Sequence, residues 1–201
     1  TRGRPDQAER LIKSFFNTQK NENQLLFYVA NDDLCKEQYY ELFKKYNMGY
    51  FKGPQMSTSF IWNYLANEAA GEMVTLLADD VEIKTKNWDE IFIEANKIYK
   101  DKIYVLTVND GRDDEYAKMG DRMRCDHPTV NKKWIQTLKY FVPPFFMHRY
   151  LDAYTRNLAI EIDRFIEIKE VVFEHLKFET ISDKTGKLSR SWFDHDKHIY
   201  E

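Results

Sequence analysis

The stretch Met73-Val74-Thr75-Leu76-Leu77-Ala78-Asp79-Asp80-Val81 decides how the chain is read. It is a continuously apolar run with β-branched members, entered from Gly71-Glu72 and ended by two adjacent carboxylates. Such a run predicts a strand buried on both faces, as at the centre of a mainly parallel sheet. Two acids directly after it fall at the strand's carboxyl end, the edge at which open α/β sheets bind ligands. Their like charges repel and need either water or a cation, and hard oxygen donors suit Mg²⁺ or Mn²⁺. A solvated loop that merely ends a strand accounts for the same residues.

Composition narrows the classes. At 201 residues the chain can bury a sizeable core, and its 15% aromatic content suits a packed protein rather than a disordered one. A net charge of −3 provides no global basic field for a nucleic-acid backbone. No apolar run reaches membrane-spanning length, and none has the pattern of a signal peptide. Cys35 and Cys125 lie far apart and are not spaced as a metal or redox pair, so free thiols in a reducing cytoplasm are expected, the host cytoplasm if the chain is viral.

Upstream of the central run, Pro5 starts a helix over 5–18 with Ala8, Leu11, Ile12, Phe15 and Phe16 on one face. An apolar run over 25–30 ends in Asn31-Asp32-Asp33, followed by a helix over 34–46, a short strand around Tyr50-Phe51 and a helix over 58–70 closed by Gly71 as C-cap. Downstream come a loop to Asn87, a helix over 88–99, and a strand over 103–108 ending in Asn109-Asp110. This alternation implies right-handed crossovers and a parallel sheet whose first strand precedes Thr1. From Gly111 to Asp126 the chain is charged and loop-like. A helix over 132–140, the rigid turn Val142-Pro143-Pro144-Phe145-Phe146, a helix over 149–165, a strand over 170–178 and a polar tail acting as a flap or arm complete the reading.

Four stretches resemble the nucleotide-diphosphosugar glycosyltransferases of the GT-A fold, family 2 type. Thr1-Arg2-Gly3-Arg4-Pro5 resembles the loop after that family's first strand, which cups the uracil; the resemblance implies a backbone contact from Thr1, stacking by Arg2, and Arg4 within the nucleotide site. Val29-Ala30-Asn31-Asp32-Asp33 resembles the end of its second strand, with Asp32 accepting the uracil N3 proton. Ala78-Asp79-Asp80 resembles the D-x-D motif with its first position replaced by Ala, implying Asp79 on the ribose or a metal-bound water and Asp80 on the metal. Phe173-Glu174-His175 resembles the late strand that supplies a histidine ligand. Asp152, at the start of a second-half helix, matches the position of the family's catalytic base.

The resemblance implies one α/β GT-A domain: a nucleotide-sugar half over 1–110, an acceptor half over 111–178, and a flap over 179–201. The expected activity is Mn²⁺- or Mg²⁺-dependent transfer, with inversion, from a UDP-sugar to an acceptor hydroxyl on a glycan, another carrier or a modified DNA base. A divalent ion would stabilise the leaving diphosphate, and a base would deprotonate the acceptor. The same residues have plainer readings. Asp152 suits a first-turn acid, Asp32 an N-cap, and His175 a strand surface, while His195, Asp196 and His198 read as exposed. A nucleotidyltransferase and a non-catalytic assembly module remain alternatives.

Overall fold

The computed structural model describes residues 1–112, 126–176 and 190–201. Its elements, in order, are α1 (Pro5–Thr18), β1 (Tyr28–Ala30), α2 (Lys36–Lys45), β2 (Phe51–Gly53), α3 (Thr58–Glu68), β3 (Met73–Thr75) and β4 (Val81–Ile83). Next come α4 (Trp88–Ala95), β5 (Val105–Asn109), β6 (Thr129–Asn131), α5 (Lys132–Leu138), α6 (Leu151–Glu161), β7 (Phe165–His175) and α7 (Phe193–Tyr200). Cys125, most of the charged stretch after Gly111, and Lys177 and Phe178 of the expected late strand lie outside the described residues.

The sheet is mixed rather than mainly parallel. β1 and β2 form a parallel pair, and a separate five-stranded sheet runs β3-β6-β5-β7-β4. Within it only β5 and β7 are parallel; β3 with β6, β5 with β6, and β4 with β7 are antiparallel. Parallel pairing needs a crossover, and β4 follows β3 after the turn at Asp79-Asp80 with no intervening helix. The expected loop after Asp80 is therefore wrong over Val81–Ile83, and the run from Met73 to Val81 is not one strand. Gly71 is also not the C-cap of α3: the helix closes at Ala69, two residues earlier.

Alternation along β5 divides the core. Leu106 and Val108 pack with α1, α2 and α4 on one face, where Trp88 lies 5.4 Å from Phe173 and 5.1 Å from Phe92 between ring centroids. Val105 faces the other side, packing with Trp134, Phe146, Leu151 and Ala159. The two apolar faces hold β5 in the middle of its sheet, and their helices leave the strand ends open.

An irregularity in β7 matters most for function. β7 pairs regularly with β5 as far as Val108 opposite Ile168; the next pair is Asn109 opposite Val172. The displaced residues turn the end of β7 onto β4, with Phe173 opposite Ile83 and His175 opposite Val81. A histidine from the far end of the chain thereby arrives beside Asp80.

Candidate active site

Strand ends β1, β3, β5 and β7 converge on one edge. Asp79 and Asp80 form the turn between β3 and β4, Asp110 follows β5, and His175 closes β7. Backbone bonds lock the convergence: His175 N donates to Asp110 O at 3.0 Å, and Leu176 N donates to Asp80 O at 2.8 Å.

The Thr1–Arg4 loop folds over this edge. Thr1 Oγ1 donates to Asp79 Oδ2 at 2.6 Å and lies 2.9 Å from the Tyr39 hydroxyl, which accepts from Arg4 N at 2.7 Å. The Arg4 guanidinium sits 2.6 Å from Asp79 Oδ1 and 3.5 Å from Asp80 Oδ2. Arg2 forms a fork with Asp32, at 2.9 and 2.8 Å, and also donates to Gln55 Oε1 at 2.6 Å. Asp32 does not cap α2. Its neighbour Asp33 does the local work, accepting from Cys35 N at 2.8 Å and Gly3 N at 2.9 Å.

Asp79 is only 6% exposed. Burial alone pushes the Asp80 carboxyl up, but contact with His175 and the charge of Arg4 outweigh it and hold the group below the usual carboxylate range. Around His175 stand Asp80, with Oδ1 3.3 Å from Nε2, and Asp126, with Oδ2 3.3 Å from Nδ1. Arg112 donates to Asp110 and Asp126 and to His175 Nδ1, and Gly111, at φ +77°, makes the turn that brings it back. Four carboxylates thus face two guanidinium groups, leaving a site of negative charge.

The donor set suits a divalent cation in a limited way. Among the described residues, no group of three or more His, Cys, Asp or Glu side chains forms a metal cage. Asp80 Oδ1 and His175 Nε2 do face one another, and Asp80 Oδ1 is buried without a hydrogen-bond partner among the described residues. Two protein donors completed by phosphate oxygens and water are how Mg²⁺-type ions are held against phosphorylated substrates. With Nε2 given to a cation, the ring proton would move to Nδ1, which would then donate to Asp126 in place of accepting from Arg112, a carboxylate–histidine–metal arrangement. Asp110, Arg112 and this use of Asp126 are not part of the sequence reading; the polar residues that end the 103–108 run were the available signal.

His127 packs against the same cluster, 5.7 Å from His175 between ring centroids. It is 1% exposed, and neither ring nitrogen has a partner among the described residues. Burial, with the charge of His175, pushes it down to about 3 from an ordinary 6.5. The unfolded chain therefore takes up this proton first, and the stability that comes from a neutral His127 is lost as pH falls from 6.5 toward 3. Relative to His127→Phe, the wild type is expected to lose about 1.4 kcal/mol per pH unit through this window. Urea unfolding of both proteins at several pH values across this window measures it; parallel curves would contradict it.

The second half reaches the edge through the loop before α6. Thr58 N donates to Met147 O at 2.8 Å, and Thr58 Oγ1 lies 2.6 Å from His148 Nδ1. His148 is held below its ordinary value by burial, with Arg149 adding to the effect, and it feels the charges of both Asp152 and Arg4. Asp152 lies in the first turn of α6, after Tyr150 in the left-handed region at φ 62°. The loop that leads into this helix thus comes within electrostatic range of Arg4. The tail supplies an unexpected part. Asp196 in α7, read from sequence as exposed, is 0% exposed and accepts from Met147 N, His148 N and Arg149 N at 2.7, 2.8 and 2.7 Å.

No protein-family model matches the sequence, and no curated protein matches it. Among solved structures, the chain is similar to a mannosyltransferase from Pyrobaculum calidifontis in complex with GDP-Man and Mn²⁺, with a TM-score of 0.72 and 10% sequence identity. The match covers 100% of this chain and 62% of that one, so the chain spans less than two thirds of its length. At that identity the likeness is one of architecture: the chain has the mixed α/β fold of a glycosyltransferase.

Proposed function

We propose that the chain is a metal-dependent glycosyltransferase of GT-A type, family 2-like, which moves a sugar from a UDP-sugar to an acceptor hydroxyl with inversion. The observation that carries this reading is the meeting of the Asp79-Asp80 turn with His175 through the irregularity in β7. In this reading residues 1–110 hold the donor and the following half holds the acceptor.

In this reading each residue takes a role that its position supports. Arg2 and Asp32 take the base; the Asp32 side of their ion pair is open to it, at 60% exposed, while Arg2 is also held by Gln55. Thr1 and Asp79 hold the ribose side, and Arg4 is aimed at the diphosphate. Asp80 and His175 hold Mn²⁺ or Mg²⁺, which when bound supplies Lewis-acid stabilisation of the charge growing on the diphosphate. Asp152 takes the proton from the acceptor hydroxyl. The acceptor oxygen then bonds to the anomeric carbon from the face opposite the diphosphate, which leaves with the electron pair of the broken C–O bond.

Turnover of a panel of UDP- and GDP-sugars, read as nucleotide release, tests the reading. Asp152→Asn is expected to lower kcat by about 10²- to 10⁴-fold with donor affinity unchanged. An unaltered kcat would remove Asp152 from the role of base.

A further inference from the structure

Trp192 stands apart from the other tryptophans of the chain. Trp88 and Trp134 are buried in the two cores and Trp62 packs against the second, whereas Trp192, at the N-terminal end of α7, belongs to neither. It is half-buried, and its indole N–H has no partner among the described residues yet stays accessible to solvent. A ring of this size, part apolar and part polar, suits a contact surface better than a place in the core.

Its position is fixed by its neighbours. Asp196, in the first turn of α7, holds the backbone of Met147, His148 and Arg149, and the Arg149 guanidinium lies 5.2 Å from the centre of the Phe193 ring. Trp192 and His148 are thereby held with ring centroids 6.4 Å apart. His148 Nδ1 is occupied by Thr58 Oγ1, while Nε2 is accessible and has no partner among the described residues. The same imidazole feels the charges of Arg4 and of Asp152 at the start of α6. An open indole and an open imidazole nitrogen thus border the place at which an acceptor hydroxyl must meet Asp152.

We propose that Trp192 and His148 form the acceptor subsite and that the acceptor is a carbohydrate, one ring face lying on the Trp192 indole and a hydroxyl bonded to His148 Nε2, beside the hydroxyl that Asp152 deprotonates. The C–H groups of a sugar ring face carry slight positive charge and are drawn to the negative face of an aromatic ring. The hydroxyl rim both donates and accepts, which suits a neutral imidazole, and burial favours the neutral form of His148. A nucleobase also stacks on an indole, but it brings phosphates, and the excess of carboxylates over guanidinium groups along this edge repels a polyanion. The assignment rests on the transfer proposed above, because it takes Asp152 as the base.

The test reads binding before turnover. The chain, with UDP and Mn²⁺ present and again without them, is titrated with maltotriose, mannotriose, chitotriose and a short single-stranded oligodeoxynucleotide, followed by tryptophan fluorescence and by calorimetry. At least one trisaccharide is expected to change the emission. Trp192→Ala is expected to abolish that change and to weaken sugar binding about 10-fold. Trp192→Phe, which keeps a ring, is expected to retain most of the affinity and holds the test open if the Ala variant loosens α7. His148→Ala is expected to raise the acceptor KM several-fold with the affinity for UDP unchanged, and His148→Gln, which keeps an N–H near the position of Nε2, to recover part of the loss. No response to any trisaccharide, or equal sugar binding by wild type and Trp192→Ala, would overturn the proposal. So would binding of the oligonucleotide at Trp192 in place of the sugars. Failure of UDP to bind would count against the transfer reading alone, and the sugar titrations without nucleotide would still decide this one.

Discussion

Replacing Asp196 by Ala is expected to release the tail helix and lower the unfolding midpoint by about 9 °C. The Asp196 carboxylate is fully buried and accepts three successive backbone N–H groups, from Met147, His148 and Arg149. Charge-assisted bonds of this kind are worth more than neutral ones, and removing the acceptor strands the donors. A loss of about 3 kcal/mol follows, which in a chain of this size corresponds to roughly 6–12 °C. The aromatic stack of Tyr200 on Tyr150, with ring centroids 4.5 Å apart, is lost with it. Because the same loop carries His148 against Thr58 and leads into α6, activity is expected to fall as well. Differential scanning calorimetry reads the first effect and limited proteolysis of the tail the second; an unchanged midpoint with an intact tail would contradict the role.

The second large effect is at Asp80. Asp80→Asn is expected to lower metal-dependent turnover by at least ~100-fold, beyond the loss typical of residues that merely support a ligand. The fold is expected to survive. Four carboxylates crowd this edge, so removing one charge relieves repulsion as it gives up contact with His175 and Arg4. Steady-state kinetics across a Mn²⁺ series, with a circular-dichroism melt as the control, separates the two. Activity that stays close to wild type in the variant would take the metal away from Asp80.

What the sequence made legible was local. Short polar runs at the ends of apolar ones, Asn31-Asp32-Asp33, Asp79-Asp80 and Asn109-Asp110, all fall at strand ends along one edge, because a strand that leaves the core must stop where its polar residues begin. Helix α1 was equally plain, from Pro5 through an apolar face to Thr18. Pairing was not legible. β4 and β6 are three residues long, and their antiparallel partners lie far away in sequence, so nothing local to Val81–Ile83 or Thr129–Asn131 announces them.

The same limit applied to side chains. Asp196 looked like one acid in a polar tail, and only the approach of the 147–149 loop makes it a buried anchor. Asp32 looked like a helix cap, yet Asp33 meets Cys35 N while Asp32 turns to Arg2. His175 could be read as a strand surface until the irregularity at Val108/Asn109 brought it to Asp80. Strand ends follow from composition, whereas which strand ends meet is decided by long-range packing.

The most direct test of the central claim is calorimetric titration of the chain with UDP, and separately with GDP, in the presence and absence of Mn²⁺. The account predicts saturable binding of UDP, tightened at least ~10-fold by Mn²⁺, since a bridging divalent ion supplies most of the attraction between a negatively charged site and a diphosphate. Failure of UDP to bind, with or without the ion, would contradict it.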